Sequence, residues 1–318
     1  MTNNNSLTPE EVAEILKIKK HTVYQLVKRG DLPAFRIGRK LRINPQDVER
    51  YRQMGNPATA ATSYSSSHHN INNLISDLEP RTDKSDLIIC GLDPILDILA
   101  KQVENSPVPI RVYRKHVGSF AGLIALYQEQ VDVAAAHLLD ADTEQYNAPY
   151  IRRLMPGIPA VIIHLAQRQQ GFYVAEGNPR NINNWNDLTA DEVRFINREP
   201  GCGTRVLLDE KLRKLGIDNR LINGYNQVVT SHLAVASTVA RGIADVGLGI
   251  QKAALQVRGI DFIPLQLEPY ELVIRKDDLA RPAIQRVIEV VNSTAFKNEV
   301  QGLGDYDLSK IGQITEVL

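Results

Sequence analysis

The sequence predicts a multidomain chain: a small helix-turn-helix head with a hairpin wing over residues 1–53, a tether over 54–84, and an α/β body over 85–318. Three observations carry this. Capped helical segments flank a basic alternating hairpin near the N-terminus, a polar low-periodicity stretch follows, and beyond it short apolar runs each lead into a helix start. At 318 residues, with 43% hydrophobic and 23% charged residues, the chain has enough length and apolar content for two folded units. The formal charge is zero, yet residues 1–53 hold 11 Lys and Arg against 6 Asp and Glu, a balance of 11 − 6 = +5, so the remainder carries −5. The charge asymmetry favours a polyanionic partner for the head and is silent about the body.

In the head, Thr8-Pro9-Glu10-Glu11 sets a hydroxyl cap, a proline in the first turn and a glutamate three residues after the cap, ahead of Val12, Ile15 and Leu16 on one face. A helix to about Ile18 is expected. A second runs from His21 to Arg29 with Val23, Leu26 and Val27 apolar, and Gly30 stops it. Phe35, Ile37, Leu41 and Ile43 then alternate with polar residues about Gly38-Arg39. This predicts a two-residue hairpin with one apolar face and Arg36, Lys40 and Arg42 on the other. Asn44-Pro45-Gln46-Asp47 opens a third helix.

The tether is rich in Asn, Ser, Thr and Ala. His68 and His69 within it are plain loop residues without further metal ligands nearby in sequence, and Leu74, Ile75 and Leu78 form a short apolar patch suited to a dimer seam. No metal site is expected. In the body, Leu87–Cys90 is a continuous apolar run, and Asp93-Pro94 opens a helix through Ile95, Leu96 and Leu99. The same unit recurs at 110–113 with a helix after Ser119, at 131–136, at 193–196 with a helix after Gly203, and at 245–248 with a helix after Gly249. Largely parallel sheets follow. Gly118-Ser119, Gly201-Cys202-Gly203-Thr204 and Thr230-Ser231 place small or hydroxyl residues at helix starts, where backbone N–H groups bind anions.

The stretch TVYQLVKRGDLPAFRIGRKLRINPQDVERY resembles the excisionase-type winged helix-turn-helix, a relative of the MerR regulators. The resemblance implies duplex DNA as partner, with the helix around Lys20–Lys28 in the major groove. Lys20, Thr22, Gln25 and Lys28 would reach bases or phosphates, Gln25 being suited to adenine, while Arg36, Arg39, Lys40 and Arg42 would hold phosphates. One such unit covers a half-site, so a homodimer is expected. In the body, GSFAGL from Gly118, VDVAAAH from Val131 and GIADVGLG from Gly242 look like type 2 periplasmic-binding-protein-like domains, among them the molybdate and tungstate binders. NREPGCGTR and AAHLLDADTEQYN resemble the substrate domain fused to excisionase-type heads in prokaryotic regulators and to some molybdopterin-biosynthesis proteins.

That second resemblance implies a two-lobed body with a small anion in its cleft, held by Ser119, Arg198, Thr204, Thr230 and Arg205. Arg198 matches the arginine ahead of the corresponding turn in tungstate carriers, and it also stands beside Glu199 as an ion-pair partner. Toward an anion, hydroxyls and helix-start N–H groups act here as donors, which suits a proton-free dianion such as molybdate or tungstate. Asp93 either caps the helix at Pro94 or faces the cleft, and in the latter case phosphate or an organic ligand with a donor is favoured. Cys202 replaces the serine common in the family, and Gly91-Leu92-Asp93 replaces a hydroxyl-rich loop, so ligand identity stays open. A molybdopterin-related organic anion is the alternative and needs an apolar wall. An enzyme using Cys202 would need a base, and His116, His137, His164 and His232 follow no pattern that marks one. No enzymatic motif and no cofactor beyond the oxyanion are expected. The N-terminus lacks a signal pattern and there is no long apolar run, so the expected location is cytoplasmic, away from membranes.

Overall fold

The computed structural model describes residues 6–29, 32–37, 40–45, 47–48, 86–105 and 110–318. The tether, with His68, His69 and the Leu74–Leu78 patch, lies outside them, as does Arg39. Contacts divide the chain into two units, 1–71 and 72–318.

In the head, α1 (Pro9–Leu16) opens with the expected capping box: Thr8 Oγ1 accepts from Glu11 N–H at 3.3 Å, and Thr8 N–H donates to Glu11 Oε2 at 2.6 Å. It ends two residues sooner than Ile18, because Lys17 turns left-handed at φ 54°. Helix α2 spans Lys20–Arg29. Val12 and Ala13 of α1 pack on Val23 and Leu26 of α2, with Leu32, Ile43 and Val48 completing the small core. The wing is an antiparallel pair, β1 (Phe35–Ile37) and β2 (Lys40–Arg42).

The wing's faces differ from the alternation read in sequence. A two-residue connection sets Ile37 opposite Lys40 and Phe35 opposite Arg42, and opposed residues share a face, so the alternation reverses parity across the turn. Phe35 therefore stands with Lys40 and Arg42, 46% exposed, while Leu41 shares its side with the buried Ile43.

The body is one continuous mixed sheet. On one side β3 (Leu87–Cys90), β4 (Val112–Lys115) and β5 (Val133–Ala136) run parallel in the order β4-β3-β5. A short hairpin, β6 (Leu139–Asp140) with β7 (Gln145–Tyr146), follows β5. On the other side β9 (Phe195–Arg198), β10 (Val228–Val229) and β11 (Val246–Ile250) run parallel in the order β10-β9-β11. Two 16-residue antiparallel strands, β8 (Ala160–Ala175) and β12 (Ile260–Arg275), join the blocks. The first half of β8 and second half of β12 belong to one lobe and the other halves to the second, with register shifts at Pro264/Gln266 and Tyr270/Glu271 between them. Near the C-terminus β13 (Ile314–Val317) adds to β8.

Helices cover both faces of each lobe: α3 (Ile95–Glu104), α4 (Ser119–Tyr127), α5 (Ala148–Leu154), α9 (Pro282–Asn292) and α10 (Thr294–Leu303) around the first, and α6 (Gly203–Leu215), α7 (His232–Ala240) and α8 (Gln251–Ala254) around the second. The recurring strand-to-helix units of the sequence are these parallel blocks. The two longest strands are antiparallel, which the expectation of largely parallel sheets did not contain, and the helix expected after Gly249 is the short α8.

Candidate functional site

On the head, α2 turns Val23 and Leu26 inward and leaves Lys20, His21, Tyr24 and Gln25 on its exposed face. Lys20 forms an ion pair with Glu10, and Gln25 Nε2 lies 3.2 Å from His21 Nε2. Thr22 is half-buried beside this stripe. On the wing, Lys40 is exposed, and Arg42 Nη1 donates to the Ser6 carbonyl at 3.2 Å. The side chains of Lys28 and Arg36 lie outside the description. The sequence-level set is thus joined by His21, Tyr24 and Phe35, aromatic or imidazole groups on the same exposed faces as the cations.

In the body, a partly open cavity of about 150 Å³ sits where β8 and β12 pass from lobe to lobe. Its floor is a buried ionic cluster. Arg168 and Glu268 are register partners at the midpoints of the two long strands. Arg168 is held by Glu268 through Nη2 and by Asp93 at 2.6 Å through Nη1, and its guanidinium stacks 4.0 Å from the Tyr270 ring centroid. Glu268 also accepts from His137 Nδ1 at 2.8 Å. Burial works against the Glu268 charge, but Arg168 and then His137 outweigh it and hold the carboxyl down at about 2. Burial likewise works against the Arg168 charge, and Glu268 and Asp93 overcome it, raising its pKa.

The walls are helix starts. Asp93 and Pro94 ahead of α3, Gly118-Ser119 at α4, Cys202 to Thr204 at α6, and Ser231 to Leu233 at α7 all line the cavity, so four helix N-termini aim partial positive charge at one volume. Ser119 Oγ accepts from His137 N–H at 3.3 Å, and Thr204 Oγ1 accepts from Gln170 Nε2 at 3.3 Å. With acceptor capacity of each hydroxyl engaged by the protein, the O–H protons are available to an anion. Arg198, 2% exposed, reaches the same cavity; its Nε and Nη2 bind Glu199 at 2.9 Å, and Nη2 also binds the Thr230 carbonyl at 3.1 Å. Gly203 lets α6 approach: a Cβ there would lie 2.4 Å from His137 Cε1.

Of the sequence-level ligand set, Ser119, Arg198, Thr204 and Asp93 line the cavity. Arg205 does not: its guanidinium turns to Asp209 at 2.9 Å and stacks on Tyr225 at 4.2 Å. Thr230 contributes its carbonyl to Arg198 and is itself exposed outside the lining. Both corrections follow from α6 geometry and the end of β10: Arg205, third in α6, projects along the helix to Asp209 one turn on, and Ser231 rather than Thr230 caps α7, accepting from Ala234 N–H at 3.0 Å. Asp93 is a cap, accepting from Ile95 N–H at 2.9 Å, from Tyr306 Oη at 2.7 Å and from Arg168. Cys202 caps α6, its Sγ accepting from Arg205 N–H at 3.4 Å, and burial pushes its thiol up to about 11. Arg168, Glu268, His137, His232 and Lys252 were not legible as site residues. The faint signal was the polar break QRQQ inside one apolar strand and the buried partner Glu268 inside another.

Residues 100–292 match the family described as PBP superfamily domain, and residues 6–55 match a helix-turn-helix domain of the excisionase-like kind. The chain belongs to the PBP superfamily and carries a DNA-binding helix-turn-helix head. The Bacillus subtilis protein YvgK is 40% identical over 99% of both chains. A Clostridium pasteurianum protein encoded in the 5′ region of a 2Fe-2S ferredoxin gene is 55% identical over 36% of this chain and all of its own. A putative DNA-binding protein of Mycobacterium tuberculosis is 48% identical over 13% of this chain and 54% of its own. The PBP body shares its fold with a phosphate transport receptor from Vibrio cholerae (TM-score 0.50, 20% identity, 70% of this chain and 99% of that one). It shares it also with a phosphate-bound substrate-binding protein from Clostridium perfringens (TM-score 0.53, 14% identity, 70% and 98%). Among the described residues no helix is long and apolar enough to cross a membrane, and no group of three or more His, Cys, Asp or Glu is arranged to hold a metal ion.

Proposed function

We propose that the chain is a ligand-responsive transcriptional regulator whose PBP domain senses a small oxyanion of the molybdate or tungstate type, and whose head binds duplex DNA as part of a homodimer in the cytoplasm. The observation that carries the ligand class is the convergence of four helix N-termini, the Ser119 and Thr204 hydroxyls and Arg198 on a cavity of about 150 Å³. A tetrahedral oxyanion fits within a cavity of that size. Asp93 favours the proton-free anion as well, since three of its roughly four acceptor sites are already taken by Arg168, Tyr306 and the start of α3.

A binding rather than a catalytic role fits Cys202, whose protonated, buried thiol is engaged as a helix cap. The oxyanion is then the effector and no further cofactor is required. Titration calorimetry with molybdate, tungstate, sulfate and phosphate tests the ligand class. Binding of the first two, weakened at least tenfold by Arg198→Ala combined with Thr204→Ala, is the expected result; absence of heat with both would remove the proposal. Sedimentation of the full chain alone and on operator DNA tests the dimer, and a monomer at micromolar concentration in both would exclude it.

A further inference from the structure

Two imidazoles meet in the cleft from opposite lobes. His137 follows β5 in one lobe and His232 opens α7 in the other, and both line the cavity. His137 is fixed by its Nδ1: the Glu268 carboxylate can only accept, so the ring proton sits on Nδ1 and points at Glu268. In the neutral ring Nε2 is then an acceptor, in a cleft lined by four helix starts. His232 carries a second mark of incompleteness, because its buried Nδ1 has no hydrogen-bond partner.

The surroundings decide which ring takes a proton. His137 faces Glu268 and the Tyr270 ring from β12, Arg168 from β8, Arg198 from β9, the Ser119 hydroxyl from α4 and Gly203 from α6. Burial, then Arg168 and Arg198, favour its neutral form against the pull of Glu268. His232 faces Arg198, Arg168 and His137 and begins a helix, so burial and cations alone act on it, and its pKa lies well below the ordinary value. An entering anion adds a negative neighbour to both, but His137 alone already has a carboxylate on its far side.

We propose that the cleft takes its oxyanion together with one proton, bound on His137 Nε2, which turns that acceptor into a donor aimed at the anion. The proton comes from solvent and no other bond changes. His137 is thereby the residue that makes effector binding sensitive to pH. This rests on the small-anion reading above. The sign follows from linkage: the bound state holds the proton more tightly than the free state, so affinity is highest below the free value of His137. It falls about tenfold per pH unit up to the bound value and is level above it.

The test is calorimetry of the full chain with molybdate, tungstate and sulfate at about pH 7, where these anions carry no proton, in buffers of different ionisation enthalpy. The expected result is a heat that varies with buffer, corresponding to uptake approaching one proton per anion, and an affinity that falls from pH 6 to pH 8. H232Q should keep the uptake and H137Q should abolish it. Heats independent of buffer, with affinity flat across that range, overturn the proposal while leaving the anion reading intact; uptake that persists in H137Q and is lost in H232Q overturns the assignment. Failure of all three anions to bind at millimolar concentration overturns the anion reading and this proposal with it.

Discussion

Arg168 is the residue on which the cleft floor depends. It is 3% exposed and neutralises two buried carboxylates, Asp93 and Glu268, that belong to different segments of the body. Truncating one member of such a cluster strands the others, so Arg168→Ala should lower the unfolding free energy by ~3–5 kcal/mol in denaturant titration, and an unchanged midpoint would contradict this account. The same cluster sets an acid limit. Because the folded Glu268 carboxyl sits at about 2 against an ordinary 4.5, its contribution is full above about 4.5 and is lost as pH falls toward about 2. Thermal melts across that interval should show the loss, and a Glu268→Gln variant should show a shallower one. Gly203→Ala places a methyl against the His137 ring, which Glu268 holds at 2.8 Å. Anion affinity should drop at least tenfold while the circular dichroism spectrum stays native, and undiminished affinity would show that the ring can move aside.

At the scale of elements, the wing and the long strand pair each turn a local pattern into a surface. The wing puts exposed Phe35 on the face of Lys40 and Arg42 because its two-residue connection reverses parity. Such a face suits the sugar-phosphate backbone, the cations meeting phosphates and the ring covering a sugar. Lys40→Ala should weaken DNA binding about equally across sequences and reduce the slope of log affinity against log salt by about one. Fluorescence anisotropy at several salt concentrations measures both, and an unaltered slope would take Lys40 out of the interface. In the body, β8 and β12 cross between lobes with their register shifts on either side of the Arg168–Glu268 pair. The irregular stretch lies where the strands pass between lobes: Arg168 pairs with Glu268 across the ladder, while Gln170 donates to Thr204 and Gln266 to Tyr146.

For the whole molecule, the body is described with its lobes in contact across the cleft. Phe120 N–H donates to the Gly201 carbonyl at 3.0 Å, and Lys214 and Arg213 of α6 pair with Glu144 and Asp142 at 2.6 and 2.9 Å. On the proposed reading, an anion that binds only this state would shift the population toward it and raise stability by about 2.7 kcal/mol at a hundredfold excess over Kd. If closure is what the head responds to, coupling must be reciprocal: saturating molybdate changes operator affinity by some factor, and operator DNA changes molybdate affinity by the same factor. Equal affinities in both directions would mean that head and body are tethered without communication.

The sequence by itself determined the local architecture, because helix caps, turn residues and apolar periodicity act within a few residues: Thr8-Pro9-Glu10-Glu11 starts α1, Asp93 starts α3, and glycine and hydroxyl residues start α4 and α6 as their neighbours dictate. It also gave part of the cleft lining, Ser119, Arg198 and Thr204, because anion-binding helix starts are local features. The wing parity, the departure of Arg205 toward Asp209 and Tyr225, and the antiparallel run of β8 on β12 were decided by tertiary structure. Above all, Arg168 and Glu268 stand 100 residues apart in the chain, and nothing local to either says that a strand register makes them neighbours. Burial then forces the charges to find each other, and their pairing places His137, by its one remaining nitrogen, in the cleft.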